Sequence, residues 1–330
     1  MSSSPTRSAA HPDGPRQRAV VNGYSFDVQF ETRHIDAGGA RIFVRCAGSG
    51  PPLLLLHGFP QTNVMWSRVA AELTDHFTVV CADLRGYGQS SCPPSAADHA
   101  PYSKRAMALD MVALMSTLGH PRFGIAGHDR GGRVAYRLSL DHPEVVSKLA
   151  VLDIIPTGDA WDRADASFAT AYWPWSLLAQ AEPLPERLVS SAPASVVEAA
   201  LTGWGSPPDA FDDATRAAYV DALSGADHVH AICEEYRAAA AIDRTDDATD
   251  RRAGRRIIAP VLVLWSESGP LGSWYESEGG PLGVWRQWAD DVRGRPMPGG
   301  HFFPEEHPRA TAAQLSAFFA AAEPAVRSPG

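Results

Sequence analysis

The stretch Phe123-Gly124-Ile125-Ala126-Gly127-His128-Asp129-Arg130-Gly131-Gly132-Arg133 decides the reading of this chain. An apolar run that reads as a buried strand ends in Gly127-His128-Asp129-Arg130-Gly131, and residues 132–138 then follow with helical spacing. Strand, sharp turn and helix in that order form a nucleophile elbow, G-x-S-x-G, with aspartate at the position serine usually holds. The replacement changes the chemistry. A serine alkoxide attacks carbonyl carbon, whereas a carboxylate is suited to displacing a leaving group from saturated carbon, leaving an ester on the enzyme. For an isolated G-x-D-x-G the simpler account is a tight turn with Asp129 capping the next helix. Here the strand and helix context, with partners downstream, favours the nucleophile.

Outward from the elbow, Leu53-Leu54-Leu55-Leu56 and Phe77-Thr78-Val79-Val80-Cys81-Ala82 read as strands buried on both faces, as in a parallel sheet. Residues 32–47 alternate enough to predict a hairpin around Gly38-Gly39, and residues 66–73 have helical spacing. Ser103 is placed to cap an amphipathic helix whose apolar face includes Met107, Met111, Leu114 and Met115. Leu149-Ala150-Val151-Leu152 and Val261-Leu262-Val263-Leu264 are further short buried strands. Alternating strands and helices predict a doubly wound α/β sheet. The alternation breaks between Ile154 and Ile258, a stretch with Trp161, Trp173, Trp175 and Trp204, several prolines and no strand signal. It reads as an α-helical cap, 157–257, inserted between core segments 31–156 and 258–330. Residues 1–30 are expected to form a disordered tail; their Ser, Pro, Arg and Ala include no apolar segment of a secretory signal.

A chain of 330 residues is long enough for a full core plus such an insertion. The net charge of −9 disfavours nucleic acid and anionic membrane as partners, so an anionic substrate needs local positive charge at its site. The four cysteines have no metal-finger spacing, which fits a reducing cytoplasmic compartment. No apolar stretch reaches the roughly 20 residues that span a bilayer.

Several residues downstream and upstream complete the elbow's chemistry. His301, in Pro298-Gly299-Gly300-His301-Phe302, is placed to take a proton from the water that attacks an Asp129 ester. Asp153, at the end of a buried strand, is costly to bury ionised unless paired, and His301 is a suitable partner that it would orient. Glu267, after the later strand, is the alternative acid. The loop His57-Gly58-Phe59-Pro60 follows the four-leucine strand, so the backbone N–H groups of Phe59 and Arg130 are expected to form an oxyanion hole. Arg130 and Arg133 lie one helical turn apart, able to face one pocket and grip a substrate carboxylate; an internal salt bridge is the competing account. His228-Val229-His230 points to two sides of a helix without a third ligand, and Gly48-Ser49-Gly50 precedes a strand. Neither implies a metal or a nucleotide, and no cofactor is expected.

These residues together resemble the fluoroacetate (haloacetate) dehalogenases of the α/β-hydrolase superfamily. The similarity covers most of residues 30–319 and includes HGFPQT from His57, the segment from Tyr102 to Met107, GHDRGGR from Gly127, KLAVLDIIPT from Lys148, CEEYRA from Cys233 and GGHFFPEEHP from Gly299. It implies the α/β-hydrolase fold, with Asp129 displacing halide from a small 2-haloacid, Arg130 and Arg133 holding its carboxylate, and Asp153 as the acid of the triad. It also implies a homodimer. In this family a cap histidine, tryptophan and tyrosine assist the departing halide; Trp175 matches the tryptophan and Tyr236 the tyrosine. Pro174 stands where the histidine is expected, so one donor to the halide is missing, and fluoride departure is expected to be slowed more than chloride or bromide. The insertion around Ser273-Trp274-Tyr275-Glu276 is expected to reshape the entrance.

Two other functions compete. An epoxide hydrolase shares the HGFP motif, the aspartate and the histidine, and uses two cap tyrosines, for which Tyr236 and Tyr172 are the candidates. A non-catalytic ligand-binding homologue is the other, opposed by the retention of Asp129, Asp153 and His301 together.

Overall fold

A computed structural model describes residues 30–321; the stretch read as a tail lies outside them except for Phe30, as do residues 322–330. Eight strands form one sheet: β1 (Glu31–Asp36), β2 (Arg41–Ala47), β3 (Pro52–Leu56), β4 (Thr78–Ala82), β5 (Phe123–His128), β6 (Val146–Leu152), β7 (Val261–Ser266) and β8 (Val292–Met297), in the order β1-β2-β4-β3-β5-β6-β7-β8. The predicted hairpin is β1–β2, antiparallel, with Asp36 opposite Arg41; β2 also runs antiparallel to β4. All other pairs are parallel. This is the α/β-hydrolase fold expected from the sequence.

The apolar runs set this architecture. Every residue of β5 and four of the five in β3 are buried, which requires helices on both faces. The helices α1 (Ser67–Leu73), α2 (Lys104–Thr117) and α3 (Asp129–Asp141), with the C-terminal helix Pro308–Ala320, supply that cover. The Ser103 hydroxyl accepts the Ala106 N–H at the start of α2, and Met107, Met111, Leu114 and Met115 are all buried. Strand β8 has no clear sequence signal. Gly294 and Pro296 dilute it, and an edge position tolerates the missing proline donor.

Between β6 and β7 every assigned element, from Thr157 to Arg252, is helical. This insertion packs over the end of the sheet that carries Asp129. Its helix Ala226–Ala238 reaches α3 through Glu235, and the carbonyl of Trp204 accepts the backbone N–H of His301. Asp247 of helix Arg244–Arg252 binds the Tyr136 hydroxyl (2.8 Å) and Arg137 (2.9 Å) on α3. No helix among the described residues is long and apolar enough to cross a membrane.

Candidate active site

β5 runs straight into α3, and the turn between them is too tight for ordinary backbone. Asp129 sits at φ +42°, a conformation costly for a non-glycine residue and frequent at functional turns. The flanking glycines allow the approach: a Cβ on Gly127 would lie 2.4 Å from the backbone of Gly131, and one on Gly131 would lie 2.5 Å from the carbonyls of Leu56 and His57. The elbow thus projects the Asp129 carboxylate beyond the sheet, where its Oδ2 accepts the Phe59 N–H at 3.1 Å. The Phe59 loop is pinned by His57. Its Nε2 accepts the Leu84 N–H (3.0 Å), so Nδ1 carries the proton and donates to the Gly58 carbonyl at 2.9 Å.

His301 Nδ1 donates to Asp153 Oδ2 at 2.6 Å, with both side chains buried. Asp153 is held just past β6 at φ +54°; its N–H donates to the Leu264 carbonyl, and its Oδ1 accepts the Ser266 N–H at 2.7 Å. Of the two acids considered, Asp153 is therefore the one that meets the histidine, while Glu267 is exposed and its N–H goes to the Met297 carbonyl. Burial opposes charge on His301, but the hydrogen bond and charge of Asp153, with Asp129 adding to them, raise its pKa above the ordinary value. Burial likewise pushes the Asp129 carboxyl up, yet His301, Arg130 and Arg133 outweigh it and hold the pKa below the ordinary value. Asp129 is thus an anion when His301 is poised to titrate.

The two arginines differ from the sequence expectation. Arg133 lines the cavity beside Asp129, whereas Arg130 does not. Arg130 gives Nε to both carboxylate oxygens of Glu235 (2.8 Å each) and one Nη to Oε1, an internal salt bridge with the helical insertion. Burial explains the difference: Arg130 is fully enclosed, and so large a desolvation needs a carboxylate partner. Lys104 pairs with the same Glu235, and the Tyr87 hydroxyl donates to it at 3.2 Å. Even so, Arg130 Nη1 and Arg133 Nε are buried without a hydrogen-bond partner among the described residues. Arg133 Nη1 is spent on the Ile155 carbonyl (2.9 Å).

A narrow cavity lies beside Asp129. Its polar wall is Asp129, Arg133, Asp153, Tyr172, Trp175 and Tyr275; Ile154, Ile155, Ala160, Phe168 and Leu271 make it otherwise apolar. Trp175 stacks near both arginines, its ring centroid 4.3 Å from the Arg133 guanidinium carbon and 5.3 Å from that of Arg130. Tyr236 is not in the wall. Its ring lies under Arg130 at 4.0 Å and edge-on to Phe59, so stacking on the buried cation has taken up its face. Tyr172 and Tyr275 contribute the phenols of the wall instead. Pro174 is buried in the first turn of helix Trp173–Leu178 and does not reach the cavity. Leu271 and Tyr275, from the segment after β7, line the cavity.

Sequence reasoning assigned no role to Glu235, Lys104 or Phe168. Adjacent acids in an otherwise apolar helical run, Glu234-Glu235, were the available signal for a buried ion pair; its partner is 105 positions away. His228 and His230 do not converge. One ring meets the Gly86 carbonyl and the Cys92 thiol, the other the Ser95 hydroxyl.

The elbow, the histidine–aspartate pair and the covering helical insertion define a hydrolase of the α/β type, and a family model described as the alpha/beta hydrolase fold matches residues 51–308. The chain is 45% identical over 293 residues to a fluoroacetate dehalogenase from Burkholderia sp, covering 88% of this chain and 93% of that protein. It is 30% identical to a soluble epoxide hydrolase from Corynebacterium sp. (strain C12), over 86% of this chain and 94% of that one. Among solved structures, an α/β-hydrolase assignment from Nostoc sp PCC 7120 superimposes with a TM-score of 0.86 at 47% identity, covering 90% of this chain and all of that one. A Pseudomonas aeruginosa protein described as an epoxide hydrolase, a mutant with bound MFA, superimposes at 0.82 with 41% identity, over 88% and 96% of the two chains. The chain belongs to the α/β-hydrolase superfamily and, within it, to the family of the fluoroacetate dehalogenases.

Proposed function

We propose that this protein is a hydrolytic dehalogenase of haloacetate or a related small 2-haloacid. The observation that carries the reading is Arg133 Nε, a buried guanidinium N–H without a hydrogen-bond partner among the described residues, on a cation that lines the cavity beside an ionised Asp129. An unsatisfied buried donor is costly, and a substrate carboxylate in the cavity would satisfy it, with the positive charge of Arg130 behind. With the carboxylate there, the α-carbon falls to Asp129. A carboxylate oxygen attacks that carbon as the carbon–halogen bond breaks, and the halide leaves toward Trp175. The product is an ester of Asp129. His301 then takes a proton from water, the hydroxide adds to the Asp129 carbonyl carbon, and the N–H groups of Phe59 and Arg130 hold the oxyanion. Collapse releases the 2-hydroxyacid and restores the Asp129 carboxylate; His301 returns its proton to solvent. Asp153 orients the imidazole and stabilises its cation.

One observation favours a second reading. Tyr172 and Tyr275 line the cavity, and burial pushes both phenols up, to about 12 for Tyr275, so both stay protonated as an epoxide-opening acid must. The two readings separate in one assay set: halide release from fluoro-, chloro- and bromoacetate against diol formation from styrene oxide. The dehalogenase reading expects halide release that is abolished in Asp129→Asn. In His301→Asn the ester should accumulate as a mass increase on the peptide containing Asp129. Full activity in Asp129→Asn would sink either mechanism, and measurable binding of all compounds with no turnover would point to a ligand-binding homologue.

A further inference from the structure

A buried chain of polar groups leads from the histidine loop to the C-terminal part of the fold. The His301 carbonyl lies 2.9 Å from His128 Nε2; His128 Nδ1 lies 3.0 Å from Gln61 Oε1; and Gln61 Nε2 meets Glu305 Oε2. Glu305 Oε1 accepts the Tyr219 hydroxyl at 2.7 Å. His128, Gln61 and Tyr219 are fully enclosed, and Glu305 is 3% exposed.

Counting hydrogens along this chain shows a deficit. The three contacts between the His301 carbonyl and the Glu305 carboxyl each need one hydrogen. A neutral imidazole supplies one. An amide set between two partners supplies one more, because it turns N–H to one side and oxygen to the other. The third must come from a protonated Glu305 or from a doubly protonated His128. The Gln61 amide orientation follows from which it is. With the proton on Glu305, the Gln61 amide is turned end for end from that placement, which keeps both contacts: His128 Nε2–H donates to the His301 carbonyl, Gln61 donates to His128 Nδ1, and Glu305 donates to the Gln61 oxygen. With the proton on His128 the chain instead holds a buried imidazolium and a buried carboxylate. Burial disfavours both charges. It drives His128 down to about 3 and Glu305 up to about 7.

We propose that Glu305 carries a proton in the ground state and, through Gln61 and His128, positions His301 by its backbone carbonyl. Glu305 is a positioning residue, since it touches neither the cavity nor Asp129. The charged and titratable groups around it are Tyr219 from helix Asp213–Ala222, Arg68 from α1 and the neighbouring Glu306. Arg68 Nη2 is bound to the Glu305 backbone carbonyl at 2.5 Å, and Glu306 is occupied by the Gly300 N–H and the Ser206 hydroxyl. When pH rises far enough to take the proton, the Glu305–Gln61 contact becomes oxygen against oxygen, or the amide flips and strands His128 Nδ1. Either change loosens the link to His301.

The catalytic consequence rests on the reading of His301 as the base; the protonation itself does not. Isotope-edited infrared spectroscopy of the whole protein, grown with labelled glutamate to separate it from buried aspartates, is expected to show a protonated glutamate carboxyl. The band should vanish as pH rises through about 7 and be missing from Glu305→Gln. No such band in the wild type on the acid side of that value overturns the proposal, whatever the variant does. Glu305→Gln reproduces the protonated pattern, because its amide donates to Gln61 and accepts from Tyr219. Its haloacid turnover should match the wild type below neutrality and exceed it by about tenfold well above. Superimposable pH profiles would reject the positioning role. An infrared band together with full activity in His301→Asn would leave the proton in place and reject His301 as base.

Discussion

Pro174 occupies the first turn of its helix, where a missing backbone N–H breaks no intrahelical bond, so the fold accepts it at no cost. The cost falls on the proposed chemistry, since no side-chain donor arises there. If a charge-assisted hydrogen bond to the leaving halide contributes about 1.5–3 kcal/mol, Pro174→His should raise fluoroacetate turnover by one to two orders of magnitude. Chloroacetate should gain much less, and the ratio of the two halide-release rates is the measurement. His301 offers a second test. It must be neutral to act as a base, so kcat/KM should rise with pH, with an acid limb above the ordinary imidazole value because Asp153 raises the pKa. Asp153→Asn removes that raising partner. The limb should move to lower pH while the rate falls by up to about four orders of magnitude; an unmoved limb would mean that another residue titrates.

Among the elements, helix Ala226–Ala238 does more than cover the cavity. Its Glu235 is the shared counter-charge of Arg130 on α3 and Lys104 at the start of α2, and Asp243 beyond the same helix accepts the Lys104 N–H at 2.9 Å. One carboxylate thus ties the insertion to the elbow and to the neighbouring core helix. Glu235→Gln leaves two enclosed cations short of one anion, and stability should drop by about 3–5 kcal/mol in chemical denaturation. An unchanged midpoint would show that the pair contributes nothing net. The elbow itself was legible because strand, turn and helix are local signals. Glu235 was not: its neighbours in sequence carry no sign of the cation it meets.

Across the whole molecule, the seam between insertion and core is polar as well as apolar. Asp247 binds the Tyr136 hydroxyl and the Gly158 N–H at 2.8 Å each and Arg137 at 2.9 Å, joining the first and last helices of the insertion to α3. Asp247→Ala should lower the calorimetric Tm through a loss of about 3 kcal/mol. The pH dependence has a definite sign. Burial pushes Asp247 up to about 6, so its contribution is largest below the unfolded carboxyl value and declines as pH rises through about 6. The Tm gap between wild type and variant should therefore narrow over that range; a gap widening with pH would contradict the burial account.

Much of the molecule could be read from residue order alone. Apolar runs and turn residues specify the parallel core and the helical interruption, because periodicity is written locally. The elbow and Asp153 were legible because each stands at the end of such an element, and His301 because it sits in the Gly-rich loop Pro298-Gly299-Gly300. The tertiary structure alone decided how buried polar groups share partners. It placed Arg130 on Glu235, Tyr236 under Arg130, Tyr275 in the cavity wall, and Glu305 at the end of a chain reaching His301. A buried donor or charge must be satisfied by whatever the fold brings within about 3 Å. That neighbour is usually far away in sequence, and no local pattern names it.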